Sequence, residues 1–220
     1  MLVLGTPFLL LLGYNMIEVL FILLPLSILT SLINLIIIRF SDKNLNVSTH
    51  RGLIKFFVVC VPSIIIGLLI LKYFQEFINF KLLVALVIII SFSLMLLKDK
   101  IKIRFNFFRI SILSIVGLIH GLTNSGGTLM SMALSSNNKK DNARYSITFF
   151  YLALATLQYF TTIIVFKNLY FLPINFYLFL SLIGGVFLGN ILIKFLSENK
   201  YKIIINTLAL ASSIIFFINF

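Results

Sequence analysis

The chain has 220 residues, of which 60% are hydrophobic and only 11% charged, with a mean hydropathy of +1.13. Soluble domains are nearer half apolar and a quarter charged, so composition excludes a soluble globular fold and points to a multi-pass helical membrane protein. The net charge of +12 does not indicate a nucleic-acid partner, because the Lys and Arg fall in short runs between apolar segments, where positive residues set membrane orientation.

A single cysteine, Cys60, excludes an internal disulfide framework and a cysteine metal cage. It sits in an apolar run and reads as a small packed side chain. Neither metal nor cofactor is expected. Met1 leads straight into apolar residues without a basic n-region or a small-residue cleavage site, so no cleavable signal peptide is expected.

Residues 1–13 are apolar but too short to span a bilayer, which takes about 20 residues. Gly5 and Pro7 also interrupt any helix there. A half-span or re-entrant piece fits. A full span at 16–38 carries Pro25, Ser27, Thr30, Ser31 and Asn34, followed by a polar basic loop at 39–55. Further spans are expected at 56–74 and about 80–97, then a basic loop at 98–109. The apolar segment 110–134 is broken in its middle by Gly117-Leu-Ile-His-Gly-Leu-Thr-Asn-Ser-Gly-Gly-Thr128. After the polar loop 135–144, spans are expected at about 145–167, 174–196 and 202–219.

Backbone that leaves the helix at membrane depth is buried in protein or lines a wet cavity, because lipid cannot satisfy its N–H and C=O groups. The stretch 117–128 is therefore the candidate site. If 110–134 crosses once, the basic loops fall on both sides. If it enters and returns to the same side, 15 of the 18 Lys and Arg share one face, leaving Lys72, Lys81 and Lys167 opposite. Positive-inside bias favours the second arrangement, a re-entrant hairpin with the basic loops in the cytoplasm.

An internal repeat supports it. At an offset of 122, Gly5-Thr6 falls on Gly127-Thr128, and Gly67, Lys72 and Glu76 fall on Gly189, Lys194 and Glu198. Ser63 with Gly67, and Gly185 with Gly189, form small-xxx-small pairs expected to make close helix contacts. The expected fold is an all-α polytopic membrane protein, a single transmembrane domain over 1–220 built of two inverted repeats. Repeat one is 1–98, a cytoplasmic linker 99–106, and repeat two 107–220. Each repeat is a re-entrant or broken-helix hairpin plus three transmembrane helices. The first hairpin is truncated, with no counterpart of 107–122; a mis-set gene start, a fragment and a genuine loss all fit. Inverted repeats with broken helices at the midplane mark secondary transporters.

His120-Gly-Leu-Thr-Asn-Ser-Gly-Gly-Thr128, the following basic loop with Arg144, and the span carrying Gln158 resemble the TauE/SafE sulfite-exporter family of membrane permeases. Gly5-Thr6-Pro7 with Gly13-Tyr14, and Leu26-Ser27-Ile28-Leu29-Thr30-Ser31, resemble the family's other repeat. The chain departs from the family before Gly5, where a fuller Gly-rich segment is usual, and at Thr128, where a third glycine is common. The resemblance implies export or uptake of small sulfur-containing or organic anions such as sulfite or sulfonates.

The expected substrate contacts are Gly5, Thr6, Ser27, Thr30, Thr123, Asn124, Ser125, Gly126, Gly127, Thr128 and Gln158. A half-helix starting at Gly126-Gly127 would present free N–H groups and a partial positive charge to an anion; a helix break packed in protein is the other reading. Thr123, Asn124 and Ser125 add neutral donors, and Asn124 also fits a tie between hairpin arms. His120 is the candidate proton carrier, against a hydrogen-bonded neutral His. Arg144 fits an anion attractor or a topology anchor. Glu18 fits an interfacial carboxylate or, less simply, a coupling group. No Asp or Glu lies well inside another span, which favours an anionic substrate over a carboxylate-held cation. Expected partners are the lipid bilayer and a small anion, with a homo-oligomer left open, in the plasma membrane, for a bacterium its inner membrane. The alternatives are a non-transporting or degenerate membrane subunit, and an integral membrane enzyme, for which no catalytic cluster is evident.

Overall fold

The computed structural model describes residues 5–41, 50–101, 109–135, 140–167 and 176–197, together with Lys200 and Thr207. The span expected at 202–219, Thr207 apart, and the loop residues 42–49, 102–108 and 136–139 lie outside them. Among the described residues the chain is all helical: α1 (Gly5–Leu11), α2 (Met16–Ser41), α3 (His50–Phe74), α4 (Phe80–Ile101), α5 (Ile110–Thr123), α6 (Gly126–Ser135), α7 (Lys140–Phe166) and α8 (Phe176–Phe195).

Three stretches are long and apolar enough to cross a membrane: Met16–Phe40, Gly52–Phe74 and Asp141–Phe166. Pro25 and Pro62 sit inside α2 and α3 without ending them. In membrane helices neighbouring groups re-satisfy the freed carbonyls. α4 and α8 contribute shorter apolar helices, Phe80–Ser91 and Phe179–Phe195. Large apolar side chains such as Ile36, Val58, Phe160, Ile164 and Phe187 are more than half exposed along these helices. Water would not tolerate so wide an apolar face, and lipid does. The protein is a multi-pass membrane protein.

Contacts fix the helix directions. Phe56 stacks on Phe150 with ring centroids 4.8 Å apart, and Lys72 Nζ donates to the Val165 carbonyl at 2.7 Å, so α3 and α7 run parallel. Cys60 faces Leu113 and Gly117, while Gly67 faces Leu118 and Leu122, so α5 runs the same way. α2 opposes α7, since Tyr151 meets Ser27 and Arg144 reaches Asn34 through Asn190. α8 is parallel to α2, because Leu182 and Val186 pack with Leu26 while Asn190 meets Asn34.

These directions gather the described positive residues. Arg39, Arg51, Lys55, Lys98, Lys100, Arg109, Lys140, Arg144 and Lys194 belong to helix ends at one side, the basic end. Lys72, Lys81 and Lys167 belong to the other. Lys72 has a local use there: its ammonium caps the last turn of α7, where carbonyls lack partners and the helix dipole is negative.

The core lies between α2, α3, α5 and α7, with Leu20, Leu24, Phe56, Ile64, Leu68, Leu113, Val116, Phe150 and Leu154 fully buried. Its tightest seam is α3 against α5. A Cβ on Gly121 would lie 2.3 Å from the Ile64 carbonyl oxygen, and one on Gly67 2.4 Å from that of Leu118. A Cβ on Gly117 would lie 2.9 Å from Ser63 Cβ. The Ser63–Gly67 pair thus makes the close contact its spacing predicts. Among the described residues, nothing lies within 4 Å of a Cβ on Gly185 or Gly189.

Candidate functional site

α5 stops at Thr123 because Asn124 turns left-handed, with φ 57° and ψ 10°. Asn is the non-glycine residue that best tolerates this conformation at a helix end. Its N–H donates back to the His120 carbonyl at 2.8 Å. Thr123 Oγ1 donates to the Ile119 carbonyl at 2.8 Å and accepts from the Ser125 N–H at 3.2 Å. Thr128 Oγ1 then donates to the Ser125 carbonyl at 2.7 Å. The hydroxyls of 123–128 therefore satisfy backbone groups that two helix ends leave open.

Past the break the chain folds back on α5. A Cβ on Gly126 would lie 2.3 Å from the Val116 carbonyl oxygen and 2.7 Å from His120 Cβ, so only glycine fits. Gly5 is less constrained, facing the Leu23 side chain at 3.1 Å.

The break meets α1. Asn124 Nδ2 donates to Thr6 Oγ1 at 3.4 Å. Thr6 begins α1, whose other end reaches Leu10 beside Tyr14, Asn15 and Met16, on the side away from the basic end. α6 runs from the same meeting point toward Ser135, five residues before α7 starts at the basic end. The two short helices thus start near one another and run opposite ways. On the α4 side, Ser91 Oγ lies 3.3 Å from Thr128 Oγ1.

Gln158 Nε2 donates to the His120 carbonyl at 2.7 Å, holding the last turn of α5. The His120 ring lies edge-on to Tyr151, centroids 5.7 Å apart, and Tyr151 Oη contacts Ser27 Oγ at 3.4 Å. Among these buried side chains several polar atoms have no partner: both ring nitrogens of His120, Asn124 Oδ1, Gln158 Oε1 and Thr162 Oγ1. An unpaired buried polar group costs roughly 1–3 kcal/mol. Five in one neighbourhood need water or a ligand to offset them.

Most of the predicted contacts therefore converge. Thr6, Thr123, Asn124, Ser125, Gly126, Gly127 and Thr128 surround the break; Gln158 braces it; Ser27 joins through Tyr151. The Thr30 hydroxyl donates to the Leu26 carbonyl one turn back at 2.6 Å. Glu18 is a helix cap: Asn15 N–H donates to Glu18 Oε2 at 2.9 Å and Glu18 N–H to Asn15 Oδ1 at 3.0 Å. Sequence reasoning missed Tyr151, Thr162 and Ser91. Tyr151 and Thr162 lie seven residues before and four after Gln158, on its helix face; the apolar span of α4 carries both Ser91 and Ser93, and nothing local singled out Ser91. Among the described residues no group of three or more His, Cys, Asp or Glu is placed to hold a metal.

The family model described as "Sulfite exporter TauE/SafE" matches residues 2–216. The chain belongs to this family. No curated protein and no solved structure matches it. TauE/SafE is a membrane transporter family, in keeping with the apolar helices. The conspicuous break of this TauE/SafE chain, at Asn124, coincides with its cluster of unpaired buried polar atoms.

Proposed function

We propose that this chain is a secondary transporter of small sulfur oxyanions, sulfite or a sulfonate, working by alternating access in the plasma membrane. One observation carries the reading: the left-handed break at Asn124, which meets Thr6 and borders unpaired buried polar atoms. The start of α6 offers N–H groups and the positive end of a helix dipole to an anion. The Thr6 hydroxyl and the second Nδ2 hydrogen of Asn124 offer neutral donors, and among the described residues no carboxylate is buried at the break. A cradle without a fixed countercharge binds an oxyanion weakly enough to release it.

The opposed directions of α1 and α6 from one meeting point support two inverted halves rocking about the site. His120 is the imidazole at the break and takes the part of proton carrier, with both ring nitrogens buried and unpaired. Membership of a family named for sulfite export supports the substrate class. The test is sulfite flux in vesicles by Asn124→Ala and Gly127→Leu. Both variants are expected to insert and fold yet fail to carry the anion; full flux in both would remove the assignment.

A further inference from the structure

A second polar cluster lies on the α2–α7 seam. Arg144 Nη2 donates to Asn190 Oδ1 at 3.0 Å. Asn190 Nδ2 donates in turn to Asn34 Oδ1 at 2.7 Å and to the Val186 carbonyl at 2.8 Å. Asn190 is thereby fixed from two sides, and its oxygen is aimed at the guanidinium. The Arg144 side chain is 17% exposed, and among the described residues its carboxylate partner is the 67% exposed Asp141, one turn back at 3.9 Å.

This is an unusual setting for a guanidinium. A charge this far buried is normally matched by a buried carboxylate. Here a neutral amide fixes the side chain, and among the described residues no buried carboxylate matches its charge. Five N–H donors in a planar fork suit an oxyanion bidentately, and the amide and Asp141 contacts occupy only part of that fork. The position also has a direction. Arg144 is seven residues from Tyr151, and Asn34 seven from Ser27, the pair that adjoins His120. Two helical turns, about 10.5 Å, thus separate the cluster from the central break, toward the basic end.

We infer that Arg144, positioned by Asn190 and Asn34, is a second anion station that holds the sulfur oxyanion at the basic end before or after the central site. The inference rests on the anion-transport reading above. The neutral residue at 190 follows from it: a carboxylate there would satisfy the guanidinium permanently and exclude the substrate.

The test is labelled-sulfite binding to purified full-length protein, with flux in proteoliposomes measured from the basic side. The native protein is expected to show two classes of binding. Arg144→Gln removes the charge while keeping a donor for Asn190. Asn190→Asp keeps the tie to Arg144 as an ion pair, so its melting temperature is expected at or above the native value and a binding loss there is not unfolding. Both variants are expected to lose one class, and their half-saturating concentration for flux to rise at least tenfold. Asn124→Ala is expected to lose the other class and keep this one. If Arg144→Gln and Asn190→Asp both keep two classes and half-saturate within twofold of native, the cluster is a helix tie and the inference is overturned. If those two lose a class while Asn124→Ala loses none, the central assignment fails and this one stands.

Discussion

Replacing Gly126 by alanine tests the hairpin and the site together. The added methyl would lie 2.3 Å from the Val116 carbonyl oxygen, 2.7 Å from His120 Cβ and 2.9 Å from the His120 nitrogen. Ordinary contact begins near 3.4 Å, so the overlap is about 1 Å. Two of the three neighbours are backbone and the third is a Cβ, so no side chain can rotate away. The start of α6 has to lift off α5. Overpacking of this kind costs about 1–3 kcal/mol, a fall in melting temperature of between about 2 and 12 °C for a chain of this size. The same lift displaces the α6 N–H groups and Thr128 by about 1 Å. Misplacing positioned groups that far costs up to about 10²-fold in rate, so sulfite flux should fall at least about tenfold. Fluorescence-detected melting in detergent and flux in proteoliposomes read the two effects. Gly185→Ala, where no described residue lies within 4 Å of the new methyl, is the control. Native melting and native flux in Gly126→Ala would show that α6 does not fold back this closely.

Two helix-end contacts give predictions on stability alone. Asn15→Ala removes one arm of the box with Glu18 and should lower stability by about 0.5–2 kcal/mol, read by melting, without changing the half-saturating concentration for sulfite; a changed concentration would return Glu18 to a coupling role. Lys72→Met removes the donor to the Val165 carbonyl while keeping the apolar stem, and should cost about 1 kcal/mol by the same measurement; an unchanged melting temperature would mean that water serves that carbonyl equally well.

How much of this was legible in the sequence depends on whether the cause was local. The break at 117–128 was, because Asn, Ser and Gly in an apolar run have few other uses. The offset sets Gly5-Thr6 on Gly127-Thr128, whereas the contact Thr6 makes is with Asn124. The gathering of positive residues at one end followed from counting Lys and Arg. The rest depended on what faces what across the bundle. Gly117 and Gly121 look like part of the polar motif, yet their work is to let α5 touch α3 at Ser63, Ile64 and Gly67. Gly185 and Gly189 have the same spacing, and no described residue lies within 4 Å of a Cβ on either. Asn15-x-x-Glu18 was a visible cap signal, overshadowed by the rarity of a carboxylate near a span. Thr30 shares a face with Ser27 and Ser31, but its hydroxyl turns back to its own helix. Arg144 stayed ambiguous because its partners are 46 residues away and beyond.

The central claim is that the Asn124 break carries a sulfur oxyanion, and counterflow of labelled sulfite in proteoliposomes tests it most directly. The native protein should exchange the label, an unlabelled sulfonate should compete, and Asn124→Ala and Gly127→Leu should fall to the rate of protein-free vesicles while still inserting and melting cooperatively. Native protein that carries no sulfur anion, or variants that exchange it at the native rate, would contradict the account.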